Sequence, residues 1–247
     1  MFARSAPRGF GRFALIPNAH PSVNTREDCS VTLPFANRTE AGRLLGRRLQ
    51  AESLAGPLVV VALPRGGVPV AAEVARCLGA PLDLLIVRKI GAPWQRELAV
   101  AAVVDGTPPE IVINDEISAM VGADAAYIER EAAVERREIE RRRETYLHGR
   151  APLALADKTA ILVDDGIATG TTVRAALEAL RRRGATKVLL AIPVAPHEAL
   201  MALRGSCDHI VCLAEPRPFD AVGMHYVDFH QVGDAEVMAA FGAEQQD

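Results

Sequence analysis

Three uninterrupted apolar runs, Leu58–Leu63 (LVVVAL), Ala160–Val163 (AILV) and Val188–Ile192 (VLLAI), set the strongest limit on how this chain can fold. Short apolar runs without alternation suit strands buried on both faces, and such strands occur in parallel sheets covered by helices on either side. The segments between them have helical length and punctuation. Thr39 can cap a helix running from Glu40 to about Leu54. Val68–Leu78 reads as a helix stopped by Gly79, Thr172–Arg183 as one closed by Gly184, and His197–Leu203 as a shorter one. Further strands are expected at Leu82–Val87, Leu98–Val104, Ile111–Ile113 and His209–Leu213. Strands alternating with helices predict an α/β fold with a mostly parallel central sheet flanked by helices.

Composition narrows what such a fold can do. The 247 residues carry a net charge of −3, with 49% hydrophobic and 24% charged residues. A chain of this size buries about 70% of its unfolded surface, so a core needs no staples. No apolar run is long enough for a membrane span. The charge offers no diffuse attraction to polyanions, and an aromatic content of 4% disfavours base-stacking platforms for single strands. Nucleic acid is therefore not the expected partner. Cys29, Cys77, Cys207 and Cys212 form no C-x-x-C pair and no zinc spacing, which predicts reduced thiols in a cytoplasmic protein.

Residues 1–34 stand apart as a basic arm: Arg4, Arg8, Arg12 and Arg26 precede the first acid, Glu27, and four prolines interrupt any period. The G-x-G-x-x-A match at residues 9–14 follows no strand and carries no dinucleotide reading. Residues 115–148 read as one long charged helix. The run Arg141-Arg142-Arg143 is neutralised by Glu131, Glu135, Glu138, Glu140 and Glu144 at helical spacings, which predicts a solvated face rather than a polyanion site.

The segment Ile161–Thr172 (ILVDDGIATGTT) carries the chemistry. It lies where a strand enters a helix, the usual ligand position in α/β folds. Backbone N–H groups across Ala168, Thr169, Gly170, Thr171 and Thr172 can converge on one anion at the helix N-terminus, with three hydroxyls beside them. The loop has no lysine and so is not a Walker A motif. Asp164 and Asp165 stand next to this cradle. Two carboxylates beside a phosphate need an offset, which sugar hydroxyls and Mg²⁺ would supply. Phosphate plus diol describes a ribose 5-phosphate.

The motif V-D-D-G-I-A-T-G-T-T resembles the phosphoribosyl-diphosphate (PRPP) signature of the type I phosphoribosyltransferases, and the likeness extends over about residues 35–234. It implies a Rossmann-like fold with a small hood, placed at 214–234, and with 115–148 as a helical insertion; residues 235–247 would be a tail. It implies Mg-dependent transfer of the 5-phosphoribosyl group to a nucleobase or related heterocycle, with release of pyrophosphate. A role in nucleotide salvage, PRPP and the acceptor as partners, and a homodimer come with it. Asp164 and Asp165 would orient the ribose and hold the metal, directly or through water, while residues 168–172 anchor the 5-phosphate. Arg65, Gly66 and Gly67, in a loop with a cis peptide before Arg65, would bind pyrophosphate together with Arg88 and Lys89; Arg65 and Lys89 join the two acids as catalytic residues. Ile90–Glu97 looks like the mobile loop that closes over such sites. Phe219, Tyr226 and Phe229 are candidates to stack on the acceptor, with core packing as the competing reading for at least one of them.

One departure matters: enzymes acting on 6-oxopurines usually carry an Asp where this chain has Ala168. Hypoxanthine and guanine are therefore disfavoured against adenine, uracil and orotate. The competing functional class is a PRPP-binding regulator with the same fold and no transfer. A PRPP synthase would need an ATP site, for which the sequence shows no motif.

Overall fold

The computed structural model describes residues 31–243, Thr107 excepted. The basic arm therefore lies outside the described residues up to position 30. Among the described residues, eight strands divide into two sheets. The apolar runs form β1 (Leu58–Ala62), β6 (Thr159–Val163) and β7 (Lys187–Val194); with β2 (Leu82–Leu84) and β8 (His209–Ala214) they make a parallel sheet in the order β2-β1-β6-β7-β8. The pairs Val60↔Ile161, Ala62↔Val163 and Val163↔Ala191 set the central register.

Alternate strand residues point to two helical layers, so both faces of each inner strand are covered. Val60, Ala62, Ile161 and Val163 pack with Leu45 and Leu49 of α1 (Arg38–Gln50) and with Val70 and Val74 of α2 (Gly67–Leu78). Val59, Val61, Ala160 and Leu162 face the other way, toward Val173, Leu177 and Leu180 of α5 (Thr171–Arg182) and Leu200 and Leu203 of α6 (His197–Leu203). The cap of α1 is Asn37, whose side chain accepts from the Glu40 N–H at 2.9 Å, rather than Thr39.

The expected strand Leu82–Val87 is divided. β2 ends at Leu84, the chain crosses at the buried Leu85 and Ile86, and β3 (Val87–Ala92) enters an antiparallel sheet with β4 (Gln95–Val104) and β5 (Glu110–Ile113). Leu85 N–H still donates to Ala62 of the first sheet, and Ile86 C=O accepts from Asp105 at the end of β4. The crossing residues are buried throughout, so an apolar pattern cannot show it.

The expected single helix over 115–148 is two helices. α3 (Asp115–Val121) ends on Gly122, which adopts φ 67°, and Asp124 caps α4 (Ala125–Leu147) by accepting from Tyr127 N–H at 2.7 Å. The Arg run on α4 is internally committed. Arg141 and Arg142 bond Glu138, and Arg143 reaches the fully buried Asp105 at 3.2 Å. Of residues 235–247, expected as a tail, 235–243 instead belong to helix α7 (Asp234–Ala243), whose Val237 is fully buried. Among the described residues, no helix is long and apolar enough to cross a membrane.

The Asp105–Arg143 contact joins the antiparallel sheet to α4. Burial pushes the Asp105 carboxyl above its usual range, and Arg143 opposes the shift. Arg143→Ala strands a buried charge and is expected to cost about 3 kcal/mol at pH 7. The folded-state pKa of Asp105, already raised, would rise further in the variant. The loss should therefore shrink as pH falls and Asp105 takes up a proton, which urea denaturation at pH 7 and pH 5 will measure.

Candidate functional site

The site grows from the pairing of β1 with β6. In this strand order the chain leaves β1 toward one edge of the sheet and β6 toward the other, so a crevice opens between their carboxyl ends. Residues 64–67 and 164–165 emerge there side by side. The Pro64–Arg65 peptide is cis, as the resemblance implies. Leu63 N–H donates across to Val163 C=O at 3.0 Å, tying the two loops at their base.

Both glycines serve this approach. A Cβ on Gly66 would collide with the Asp165 carboxylate, and one on Gly67 would lie 2.8 Å from Val163 O and 2.9 Å from Asp164 Cα. The sequence assigns both N–H groups to an anion. The Gly67 N–H instead closes the turn onto Leu63 C=O at 3.0 Å, so that donor is engaged.

Asp164 and Asp165 lie at the crevice floor. Asp164 Oδ1 accepts from Asp165 N–H at 2.9 Å. Burial pushes both carboxyls up; the charge on Asp165 pushes Asp164 further, and Arg38 opposes the shift at Asp165. Beyond them, Ala168 and Thr169 are exposed, Gly170 turns with φ 77° against Leu203, and Thr171 and Thr172 open α5. No side chain caps α5, so the N–H groups of its first turn have no side-chain cap, as an anion cradle would require.

Arg65 turns toward the start of α7, with Nη1 3.6 Å from Asp234 Oδ1. The same carboxylate accepts from Tyr146 O–H at 2.6 Å and lies 3.7 Å from Arg141. Insertion helix and C-terminal helix thus meet the cis-peptide loop.

Arg88 and Lys89 fare differently. They lie within β3, not at a strand end, and as neighbours on one strand they point to opposite faces. Arg88 donates to Glu135 of α4 at 2.7 Å, and Lys89 is exposed. The structure does not bring the pair together toward the crevice. Ile90–Glu97, expected as a mobile loop, forms a β-hairpin with Ala92 paired to Gln95 and Trp94 exposed at its tip.

The hood rings also fall out differently from the acceptor role given them. Tyr226 is buried in a cluster with Phe35, Ala41 and Val194, with Phe219 and Phe229 packed against it. Its O–H donates to Asp165 C=O at 2.5 Å. Phe229 lies 5.1 Å from the Tyr226 ring and 3.8 Å from the Arg38 guanidinium, while Phe219 stacks on His225. Core packing therefore claims Tyr226, and Phe219 and Phe229 are half-buried beside it.

A cavity of about 370 Å³ lies between the cis-peptide loop and Phe229, bounded by Arg38, Arg65, Gly66, Asp165, Phe229 and His230 among others. A larger cavity, about 720 Å³, runs along α2, but its two charged side chains, Glu73 and Arg76, pair with each other and lie apart from the signature loops. The smaller cavity is the one that holds chemistry. Sequence reasoning missed Arg38, Asp234, Tyr146 and His230, whose partners in this site are remote in the chain.

The phosphoribosyl transferase domain family model matches residues 39–226, which span both loops. The chain belongs to this family. Within it, two Mycobacterium tuberculosis proteins (strains CDC 1551 and H37Rv), each named "Putative phosphoribosyl transferase", are 45% identical over 216 residues, 86% of this chain. This chain spans 47% of their length. The crystal structure of TT1426 from Thermus thermophilus is 42% identical, with a TM-score of 0.74, covering 85% of this chain and 98% of that one. The phosphoribosyl transferase domain thus supplies the fold and the crevice, on the type I pattern.

The packing of the two loops makes a direct test. Gly67→Ala meets backbone and should lower stability by about 2 kcal/mol. Gly66→Ala meets only the end of a side chain and should cost less. Equal losses in urea denaturation would show that loop packing does not distinguish the two positions.

Proposed function

We propose that the chain transfers the 5-phosphoribosyl group of PRPP to a ring nitrogen of a heterocyclic acceptor, with release of pyrophosphate. The observation that carries this reading is the crevice itself: two half-buried acids and the cis-peptide loop bearing Arg65 meet at one strand switch, and the uncapped start of α5 follows the acids along the chain. In the reaction the bond from C1 of the ribose to the diphosphate oxygen breaks, the bond from C1 to nitrogen forms, and the nitrogen gives up its proton. The reacting carbon passes through an oxocarbenium-like state, so no protein nucleophile is required. Catalysis is positioning and charge stabilisation.

Asp164 and Asp165 accept from the ribose hydroxyls and stabilise positive charge on the ring. Ala168–Thr172 hold the 5-phosphate on backbone and hydroxyl donors. Arg65 and Gly66 face the diphosphate. Arg88 and Lys89 join only if the hairpin moves, since Arg88 is held by Glu135.

The donor set fits Mg²⁺ in a limited way. Among the described residues, no cluster of three or more His, Cys, Asp and Glu side chains forms a metal cage. Two hard carboxylates at the crevice suit an ion that keeps its waters and takes substrate phosphates as ligands. Asp164 and Asp165 would hold it, and its charge would neutralise the diphosphate. The homodimer and the salvage role follow from family likeness, and the cytoplasmic setting from cysteines that show no C-x-x-C pair or zinc spacing. The alternative of a PRPP-binding regulator is favoured by one observation, the engagement of Arg88 by Glu135.

The test is pyrophosphate release from PRPP with Mg²⁺ across adenine, uracil, orotate, hypoxanthine and guanine. Release with one of the first three and little with the 6-oxopurines is expected, given Ala168. Replacing both acids, Asp164→Asn with Asp165→Asn, should lower turnover by about 100-fold or more. PRPP binding by calorimetry with no release across the panel would move the assignment to the regulator, and unchanged turnover in the double variant would exclude the acids' role.

A further inference from the structure

Arg38 is the residue that the two signature loops do not explain. It opens α1, where a cation opposes the helix dipole and where Asn37 already supplies the cap. It is nevertheless 7% exposed, and burying a guanidinium is unfavourable unless its donors are met. Its contacts are all remote in sequence. Nε donates to Asp165 Oδ2 at 2.8 Å, Nη1 donates to His230 C=O at 2.9 Å, and Cζ lies 3.8 Å from the Phe229 ring centre.

The Phe229 ring in turn packs 5.1 Å from Tyr226, whose O–H bonds the carbonyl of the same Asp165. Asp165 is thus gripped twice, at its side chain by Arg38 and at its main chain by Tyr226. One ring cluster supports both grips.

We propose that Arg38 is a positioning residue for the ribose-binding acid, and that Phe229 acts through Arg38 rather than as a platform for the acceptor. The guanidinium holds Oδ2 through Nε, which would leave the other carboxylate oxygen of Asp165 for the ribose. Phe229 and the His230 carbonyl hold the fork in plane. An arginine suits this place because it can donate along two directions while stacking, which a lysine cannot do. The inference rests on the reading that Asp165 meets the ribose of PRPP.

The full chain is tested by calorimetry with three probes in the presence of Mg²⁺: PRPP, ribose 5-phosphate and pyrophosphate. Wild-type protein is expected to bind all three. Arg38→Gln should weaken ribose 5-phosphate by about 10-fold or more, the scale of a lost charge-assisted hydrogen bond, and change pyrophosphate by less than about 2-fold. Arg38→Lys keeps the buried charge and should show a smaller loss with the same selectivity. Phe229→Leu should raise the KM for PRPP and leave the KM for the acceptor unchanged.

Equal weakening of both probes would assign Arg38 a merely structural role and overturn the proposal. So would unchanged ribose 5-phosphate binding, or a Phe229→Leu variant whose acceptor KM alone rises. If Arg38→Gln does not fold, Arg38→Lys and Phe229→Leu carry the same comparison. Failure of the wild-type protein to bind PRPP would instead overturn the transferase reading, and this inference with it.

Discussion

The pairing of β1 with β6, level at Ala62 and Val163, is the constraint from which the site follows. Adjacent strands lie about 4.8 Å apart, so two loops that leave their ends together compete for the same space. A Cβ at position 66 would displace the Asp165 carboxylate, and one at position 67 would run into the backbone at Val163 and Asp164. The same crowding half-buries the two acids, and desolvation pushes their carboxyls up. A desolvated acid that must ionise needs a fixed cation, which Arg38 supplies from the start of α1. Strand register, loop composition and the remote arginine are thus successive consequences of one pairing.

Charge is distributed to match. The net charge of −3 gives the surface no general pull on anions, and the arginines of the 141–143 run are each turned to an acid. Exposed pairs such as Arg136 with Glu129 contribute little to stability. The insertion matters more through three residues that reach away from it: Glu135 to Arg88 on β3, Arg143 to buried Asp105, and Tyr146 to Asp234 on α7. Together they brace the antiparallel sheet and the C-terminal helix against the domain that carries the crevice.

What could be read from the chain follows from how far each signal travels. Parallel strands were legible because they are apolar on both faces, and the signature loop because its acids, glycines and threonines are contiguous. The change of sheet at Leu85 and Ile86 was hidden, since burial continues through it. The break at Gly122 and Asp124 has ordinary local chemistry, a left-handed glycine followed by a cap, but the charged pattern on either side masked it. Arg38 could not be read at all, because its carboxylate partner stands 127 positions away. The three hood rings were visible as aromatic residues; composition does not say which faces the core contacts already cover.

The two crevice arginines divide the electrostatic work in a way that suits the proposed reaction. Arg38 makes two hydrogen bonds, stacks on a ring and is buried, so its geometry is set before any ligand arrives. Arg65 meets Asp234 at 3.6 Å, too far for a hydrogen bond, and its side chain is 29% exposed. Its donors are therefore not committed to that carboxylate, while the charge still biases where the guanidinium rests. Stabilisation of charge that develops on the ribose benefits from groups that do not reorganise, which is the arrangement at Asp165. A departing diphosphate moves as it leaves, and a loosely held cation can follow it. In the proposed reaction the tight grip would lie on the ribose side and the loose one on the side of the leaving diphosphate.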